Sequence, residues 1–313
     1  MSFLNRIVDK VYVINLKKDT KKMNAVKKEL DDQHIVYERF DGVLGKEVKN
    51  DPRINKTCND YCADGIKGCA LSHRTIWETA LKNNYEYIAV FEDDVIFNKN
   101  FNTTLQLNYN DIPTDFDIIY LGAMFECGDT SIYNRLNETV QGIHNTRINE
   151  NILKVNGCGG LYGYIISKKC IQNYIKEKIT FHIDIDITKL NKKYNHKAYA
   201  FQPVLVEQDV TDSNLNSKFP PILNMALSNI KITNQNHPIP INWLLNENGY
   251  QYKNMKQTSL ILYVFVLCFL VPIQYYYILF IWLTLEFITS KDIVNTLMYG
   301  IMISIPYFIK YNY

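Results

Sequence analysis

Up to residue 257 the apolar positions come in short runs broken by charge. VYVINL, residues 11–16, is a continuous run and predicts a strand buried on both faces. Residues 19–33 are polar, with Met23, Val26 and Leu30 at helical spacing, and predict a helix. VYERFDGV (36–43) predicts a second strand. Residues 68–83, with Leu71, Ile76, Ala80 and Leu81 on or near one side, predict another helix. Strand signals recur in YIAVFEDD (87–94), FDIIYLGA (116–123) and AYAFQPVLVEQ (198–208). GGLYGYIISKKCIQNYIKE (159–177) begins extended and becomes helical. Strands that are apolar throughout and alternate with helices predict an α/β domain, with a mostly parallel sheet flanked by helices. In such sheets ligands bind at the carboxyl ends of the strands.

The pattern changes near residue 257. The stretch 259–288 carries one formal charge, Glu286. A bilayer span takes about 20 apolar residues. Pro272 and Gln274 interrupt the run, which reads as one kinked helix or two short halves. A second apolar stretch follows from Ile293 to Ile309, and Tyr275–Tyr277, Trp282, Tyr307 and Tyr311 suit interfacial anchoring. The expected organisation is a main α/β domain over 1–225, a linker or wrapping segment over 226–257, and a membrane-associated tail over 258–313. The tail is expected to be a transmembrane helical hairpin of two spans. Lys253, Lys256 and Lys310 predict that the main domain faces the cytoplasm. The first residues contain no secretory apolar region.

Charge adds an exclusion. Thirty-four Lys and Arg stand against 32 Asp and Glu, so no whole-chain basic field exists for nucleic acid. Cysteine adds a candidate. Cys58, Cys62 and Cys69 are followed four residues later by His73, which reads either as a zinc set or as ordinary reduced thiols.

The strand run Ile88–Phe91 leads into Glu92, Asp93 and Asp94. Three adjacent carboxylates at a buried strand end need either water or a cation. In an extended segment Glu92 and Asp94 point to one side, a pair of hard oxygen ligands suited to Mg²⁺ or Mn²⁺. There is no Walker A loop, no G-x-G-x-x-G after the first strand, no G-x-S-x-G and no H-E-x-x-H. A phosphoryl-transfer enzyme would need a phosphate loop that the chain lacks. GCGGLYG (157–163) fits close backbone approach, near a bound sugar or in tight packing.

VYVINLKKDTKK, ERFDGV, GIKGCALSHRTIWETAL, FEDDVIF and FDIIYLG, in this order, resemble glycosyltransferase family 25. GGLYGYIISKKCIQNY, HIDIDI and AFQPVLVEQDVTDSNL extend the resemblance over roughly residues 8–215. The family includes lipopolysaccharide galactosyltransferases and the galactosyltransferase domain of procollagen-modifying enzymes. The resemblance implies a GT-A-type nucleotide-diphospho-sugar transferase fold and a UDP-sugar donor, with Mn²⁺ or Mg²⁺ as cofactor. A galactose or glucose would pass to a hydroxyl of a glycan, glycolipid or protein. Asp94 and Glu92 are the implied metal ligands. Asp93, Asn15, Leu16, Ser72 and His73 are implied at the nucleotide or substrate, with Gln208 and Asp212 in a late segment closing the site. Trp77 reads as core. If configuration inverts, the attacking hydroxyl needs a base. Asp184 and Asp186, taken as neighbours on an extended segment, are the candidates. The chain lacks a second transferase domain and an ER-retention ending, so the expectation is the single-domain, cytoplasm-facing type. The alternative is a catalytically inactive, membrane-anchored glycan-binding or scaffold protein.

Overall fold

The computed structural model describes residues 1–123, 144–209, 221–231 and 258–312, with Arg135, Thr139 and Gly142 between the first two segments. Apart from the short segment 60–63, the described residues up to 209 form one compact unit and those from 221 another.

The first unit is a mixed α/β domain. Its strands are β1 (Lys10–Asn15), β2 (Glu38–Asp41), β3 (Tyr87–Glu92), β4 (Val95–Phe97), β5 (Ile118–Gly122), β6 (Asn145–Arg147), β7 (Ile152–Val155), β8 (Gly163–Ser167), β9 (Ala198–Phe201) and β10 (Val206–Gln208). Eight of them form one sheet in the order β2-β1-β3-β8-β5-β9-β7-β6, and β4 pairs with β10 as a separate antiparallel ribbon. The main helices are α1 (Leu4–Ile7), α2 (Thr20–Asp32), α3 (Lys56–Tyr61), α4 (Asp64–Lys82), α5 (Phe101–Asn108), α6 (Lys168–Tyr174) and α7 (Ile183–Tyr194).

Period-two alternation sorts the strand residues onto two covered faces. Val11, Val13, Ala89, Phe91, Ile119, Leu121 and Ile165 join one core cluster with Val26 and Leu30 of α2 and with Phe101 and Leu105 of α5. Tyr12, Ile88, Val90, Ile118, Tyr120, Tyr164 and Ile166 are buried as well. On that second face the Tyr164 hydroxyl meets His73 and Trp77 of α4, and the Tyr120 hydroxyl accepts from Asn191 Nδ2 of α7. Burial on both sides explains why β1 and β3 read as unbroken apolar runs.

The sheet is not mostly parallel. β1 is parallel to β2 and β3, and β5 is parallel to β9. β8 is inserted antiparallel between β3 and β5, and β7 is antiparallel to β6 and β9. All five residues of β8 are buried, so its apolar pattern carries no sign of direction. The predicted strand 198–208 is two strands, β9 and β10, in different sheets.

HIDIDI is not extended either: residues 183–186 open α7. The Asp186 carboxylate accepts from the backbone N–H groups of Thr180 and Phe181 at 2.6 and 3.1 Å, and from the Thr180 hydroxyl. Acidic residues in a first helical turn also oppose the helix dipole favourably. The turn that Asp186 closes ahead of the helix therefore outweighs the β propensity of the isoleucines.

The second unit contains α8 (Pro221–Leu227), α9 (Thr258–Leu270), α10 (Tyr276–Ser290) and α11 (Ile293–Asn312). The predicted linker thus contains the end of a helix. The apolar stretch 259–288 breaks at Pro272 into α9 and α10, of 13 and 15 residues, each short of a span. Proline has no N–H to continue a helix, and its φ is fixed. Among the described residues one helix, α11, is long and apolar enough to cross a membrane. Val264, Cys268, Tyr276, Tyr299 and Ile303 form a small buried cluster. Glu286, 1% exposed, accepts from Trp282 Nε1–H at 2.9 Å. Much of the apolar surface stays uncovered: Leu270 is 74% exposed, and Ile288 and Leu297 are each 62% exposed.

Candidate active site at the carboxyl ends of β1 and β3

β1 and β3 run side by side in parallel, with Ile14 opposite Glu92. Their carboxyl ends therefore deliver Asn15 and the acidic triplet to one edge. Asn15 is 1% exposed, and its side chain bridges three elements. Its Nδ2 donates to Asp93 Oδ2 at 2.6 Å and to the Asp19 carbonyl at 3.0 Å, while its Oδ1 accepts from Arg39 Nε at 3.0 Å. Asp94 lies in the turn before β4. Because β4 pairs with β10 in the register Val95↔Gln208, Gln208 Nε2 reaches both Asp94 oxygens at 3.3 Å.

Asp93 and Asp94 share a cation, Lys22 of α2, whose Nζ stands 4.0 Å from Asp93 Oδ1 and 3.9 Å from Asp94 Oδ2. Glu92 Oε1 lies 3.2 Å from His73 Nε2 and 3.8 Å from Cys69 Sγ. Of the charges near Asp94, Glu92 acts on it most strongly, ahead of Lys22 and Asp93.

Burial, then the nearby Glu92 charge, pushes the Asp94 carboxyl up to about 8, against the pull of Lys22. Burial also raises Asp93, although the Asn15 hydrogen bond and Lys22 oppose it. Without a cation the edge keeps a proton on Asp94 at neutral pH, beside Asp93 and Lys22. The buried Gln208 Oε1 has no hydrogen-bond partner among the described residues. Two carboxylates and an amide oxygen are an all-oxygen donor set, which fits a hard divalent ion.

A cavity of about 640 Å³ is lined by Leu16, Lys17 and Lys18 after β1, by Asp41 and Gly42 at the end of β2, and by Leu71 of α4, with none of Asn15, Lys22, Asp93, Asp94 or Gln208 in its lining. Leu16 thus lines a cavity, and the preceding Asn15 holds Asp93.

Other expected residues have structural partners. The Ser72 hydroxyl accepts from Val43 N–H at 2.8 Å and donates to the Gly68 carbonyl at 2.7 Å. It ties α4 to the loop after β2. Gly68 permits that approach, since a Cβ there would stand 2.6 Å from the Val43 carbonyl oxygen. His73 is fully buried, with Nδ1 2.9 Å from the Tyr164 hydroxyl. That hydroxyl accepts from Trp77 Nε1–H at 2.9 Å, so Trp77 belongs to the core, as its spacing predicts. Asp186 is consumed by the turn before α7. Asp184 Oδ2 accepts from Gly160 N–H at 2.9 Å, and the side chain is partly exposed. Asp212 lies outside the described residues.

Comparison with known proteins adds the decisive observation: residues 8–188 match the model of glycosyltransferase family 25 (LPS biosynthesis protein), more than half of the chain. The chain belongs to glycosyltransferase family 25. It is 35% identical over 129 residues to procollagen galactosyltransferase 1-A of Xenopus laevis, a match covering 36% of this chain and 21% of that one. It is 30% identical over 162 residues to lipooligosaccharide biosynthesis protein lex-1 of Haemophilus influenzae, covering 47% of this chain and 50% of that one. It is 29% identical over 132 residues to inactive glycosyltransferase 25 family member 3 of Mus musculus, covering 36% of this chain and 22% of that one. The chain spans about half or less of the length of these relatives. The resemblance read from the sequence motifs is therefore borne out over residues 8–188, and the names of these relatives include both a galactosyltransferase and an inactive member. All the residues around Asp93 and Asp94 except Gln208 lie inside the family match.

Lys22 was missed from sequence, where it is one lysine in the run KKDTKK. Its one signal is position, in the first turn of the helix that follows β1. The pairing of cysteines was also missed. Cys58, Cys62 and Cys158 are disulfide-bonded, which removes Cys58 and Cys62 from the zinc set.

Proposed function

We propose that the chain is an active glycosyltransferase that moves a hexose, galactose or glucose, from a UDP-sugar to a hydroxyl of a glycan, glycolipid or protein. The observation that carries this reading is the buried Asp93 and Asp94 at the carboxyl end of β3, held by Asn15, Lys22 and Gln208. A GT-A-type arrangement accounts for that placement. Asp93 and Asp94 would hold Mn²⁺ or Mg²⁺, which supplies charge stabilisation as the diphosphate departs. Lys22 adds a fixed positive charge to the same edge. Asn15 fixes Asp93, and Gln208 orients Asp94 across the β4–β10 ribbon. Leu16 and its neighbours shape the cavity for the nucleotide. In an inverting reaction Asp184 serves as base, since Asp186 is spent on the turn before α7. The exposed apolar faces of α9, α10 and α11 hold the chain at a membrane, where a lipid-linked acceptor is within reach.

The second reading, a binding protein without turnover, is favoured by the inactive mouse relative. The test is UDP release by the purified chain from a panel of UDP-sugars, with Mn²⁺, Mg²⁺ or chelator, beside Asp94→Asn. Release from one donor, abolished by chelation and lowered at least about 100-fold by the substitution, is the expected result. UDP-sugar binding without release under any metal supports the second reading. Absence of both binding and release overturns the nucleotide-sugar assignment.

A further inference from the structure

Glu92 also meets two residues of α4. Cys69 and His73 are four residues apart on α4, so both side chains stand on one helical face. The carboxyl end of β3 brings Glu92 against that face. The Cys69 Sγ, a His73 ring nitrogen and a Glu92 oxygen lie within 4.8 Å of one another. Two of the three separations are tighter, 3.2 Å from His73 Nε2 to Glu92 Oε1 and 3.8 Å from Cys69 Sγ to the same oxygen. Donors around a tetrahedral zinc ion stand about 3.3–3.6 Å apart, given its bond lengths to sulfur, nitrogen and oxygen. Two edges thus stand close to ligation spacing.

The imidazole is also supported as a ligand's imidazole is. His73 is fully buried, and its far nitrogen, Nδ1, is 2.9 Å from the Tyr164 hydroxyl, which Trp77 Nε1–H holds from behind. A partner on the second ring nitrogen fixes ring orientation and directs Nε2 at the other two donors.

We propose that Cys69, His73 and Glu92 form a thiolate–imidazole–carboxylate site for a zinc-class ion, separate from the all-oxygen pair Asp93 and Asp94. A thiolate and an imidazole select a softer ion than two carboxylates do, so the members of one acidic triplet sort two kinds of metal. The charges balance. The Cys69 thiol releases its proton to solvent, and thiolate plus carboxylate neutralise a dication around neutral His73. With the ion on Nε2, the ring proton sits on Nδ1 and is donated to Tyr164 Oη. Three protein donors leave one tetrahedral position for water or another ligand.

The test uses the full chain with its disulfides intact, stripped of metal and titrated with Co²⁺, a spectroscopic stand-in for Zn²⁺. No sugar donor enters the assay, so its result is independent of whether the chain releases UDP. The expected result is a thiolate-to-cobalt charge-transfer band saturating at one equivalent and displaced by Zn²⁺. Cys69→Ser abolishes the band, Tyr164→Phe weakens binding about tenfold, and Asp94→Asn leaves the band in place. Zn²⁺ also slows alkylation of Cys69 in the unmutated chain, a measurement that does not depend on any variant folding. The proposal is overturned by absence of the band and of zinc protection in the unmutated chain. A band that persists in Cys69→Ser, or one lost in Asp94→Asn, overturns it equally.

Discussion

At the residue scale Asp94 has the clearest electrostatic consequence. An ordinary aspartate titrates near about 3.9. Burial and Glu92 push Asp94 up to about 8. Between those values the folded, metal-free chain keeps a proton that the unfolded chain has released. Stability therefore falls as pH rises from about 4 to about 8, and this contribution levels off above that. Denaturant unfolding at pH 5 and pH 8 should show that fall, on the order of a few kcal/mol at most. Asp94→Asn should flatten it, and Mn²⁺ should restore stability at pH 8 in the unmutated chain alone. A second residue-scale expectation concerns Ser72. Ser72→Ala strands the Val43 N–H and should cost about 1–3 kcal/mol in unfolding experiments. A purely ligand-binding serine would leave stability unchanged.

The acidic triplet was legible because three charges cannot follow a buried run without a reason. Their partners were not, because Lys22 comes from α2 and His73 from α4. Ser72 and His73 were legible as a motif, while their partners within the fold were not. The Gly68–Ser72 spacing serves the packing of α4 on the loop after β2, and the motif cannot distinguish a helix anchor from a ligand contact.

At the element scale α7 separates two aspartates that sequence treats alike. Asp186 closes the turn at 180–182, whereas Asp184 touches the Gly160 backbone. Asp186→Asn should lower thermal stability and leave donor hydrolysis per folded molecule near its original rate. Asp184→Asn should leave stability within about 0.5 kcal/mol and lower transfer to acceptor more than donor hydrolysis. Equal effects of both substitutions on transfer and stability would remove Asp184 from the reaction. The error over HIDIDI has a physical source. Three isoleucines at alternate positions carry a strand period, and it takes the reach of Asp186 back to Thr180 to start a helix there. Element type was legible where burial is two-sided, as in β1 and β3. Strand direction was not, because apolar residues pack equally well either way.

For the whole molecule the cysteines give a test that the lysines did not anticipate. Disulfides persist in oxidising compartments. In cells making the chain, Cys58, Cys62 and Cys158 should resist alkylation until a reductant is added, a pattern read by mass spectrometry of the peptides. Immediate alkylation of all three would support the cytoplasmic placement drawn from Lys253, Lys256 and Lys310. The tail has its own test. Removing 258–313 should move the chain from the membrane fraction to the soluble fraction while UDP release persists. Loss of UDP release with intact secondary structure would tie the tail to catalysis itself.

The reversed course of β8 decides which of its flanking segments meets the acidic edge. A strand parallel to β3 would bring its following loop there. Antiparallel β8 brings its preceding segment instead: Glu92 N–H bonds the Tyr162 carbonyl at 2.9 Å, and Gly160 N–H donates to Asp184. Residues added just before β8 would therefore alter the surroundings of Glu92 and Asp184, whereas residues added after Ser167 would fall at the opposite end of the sheet.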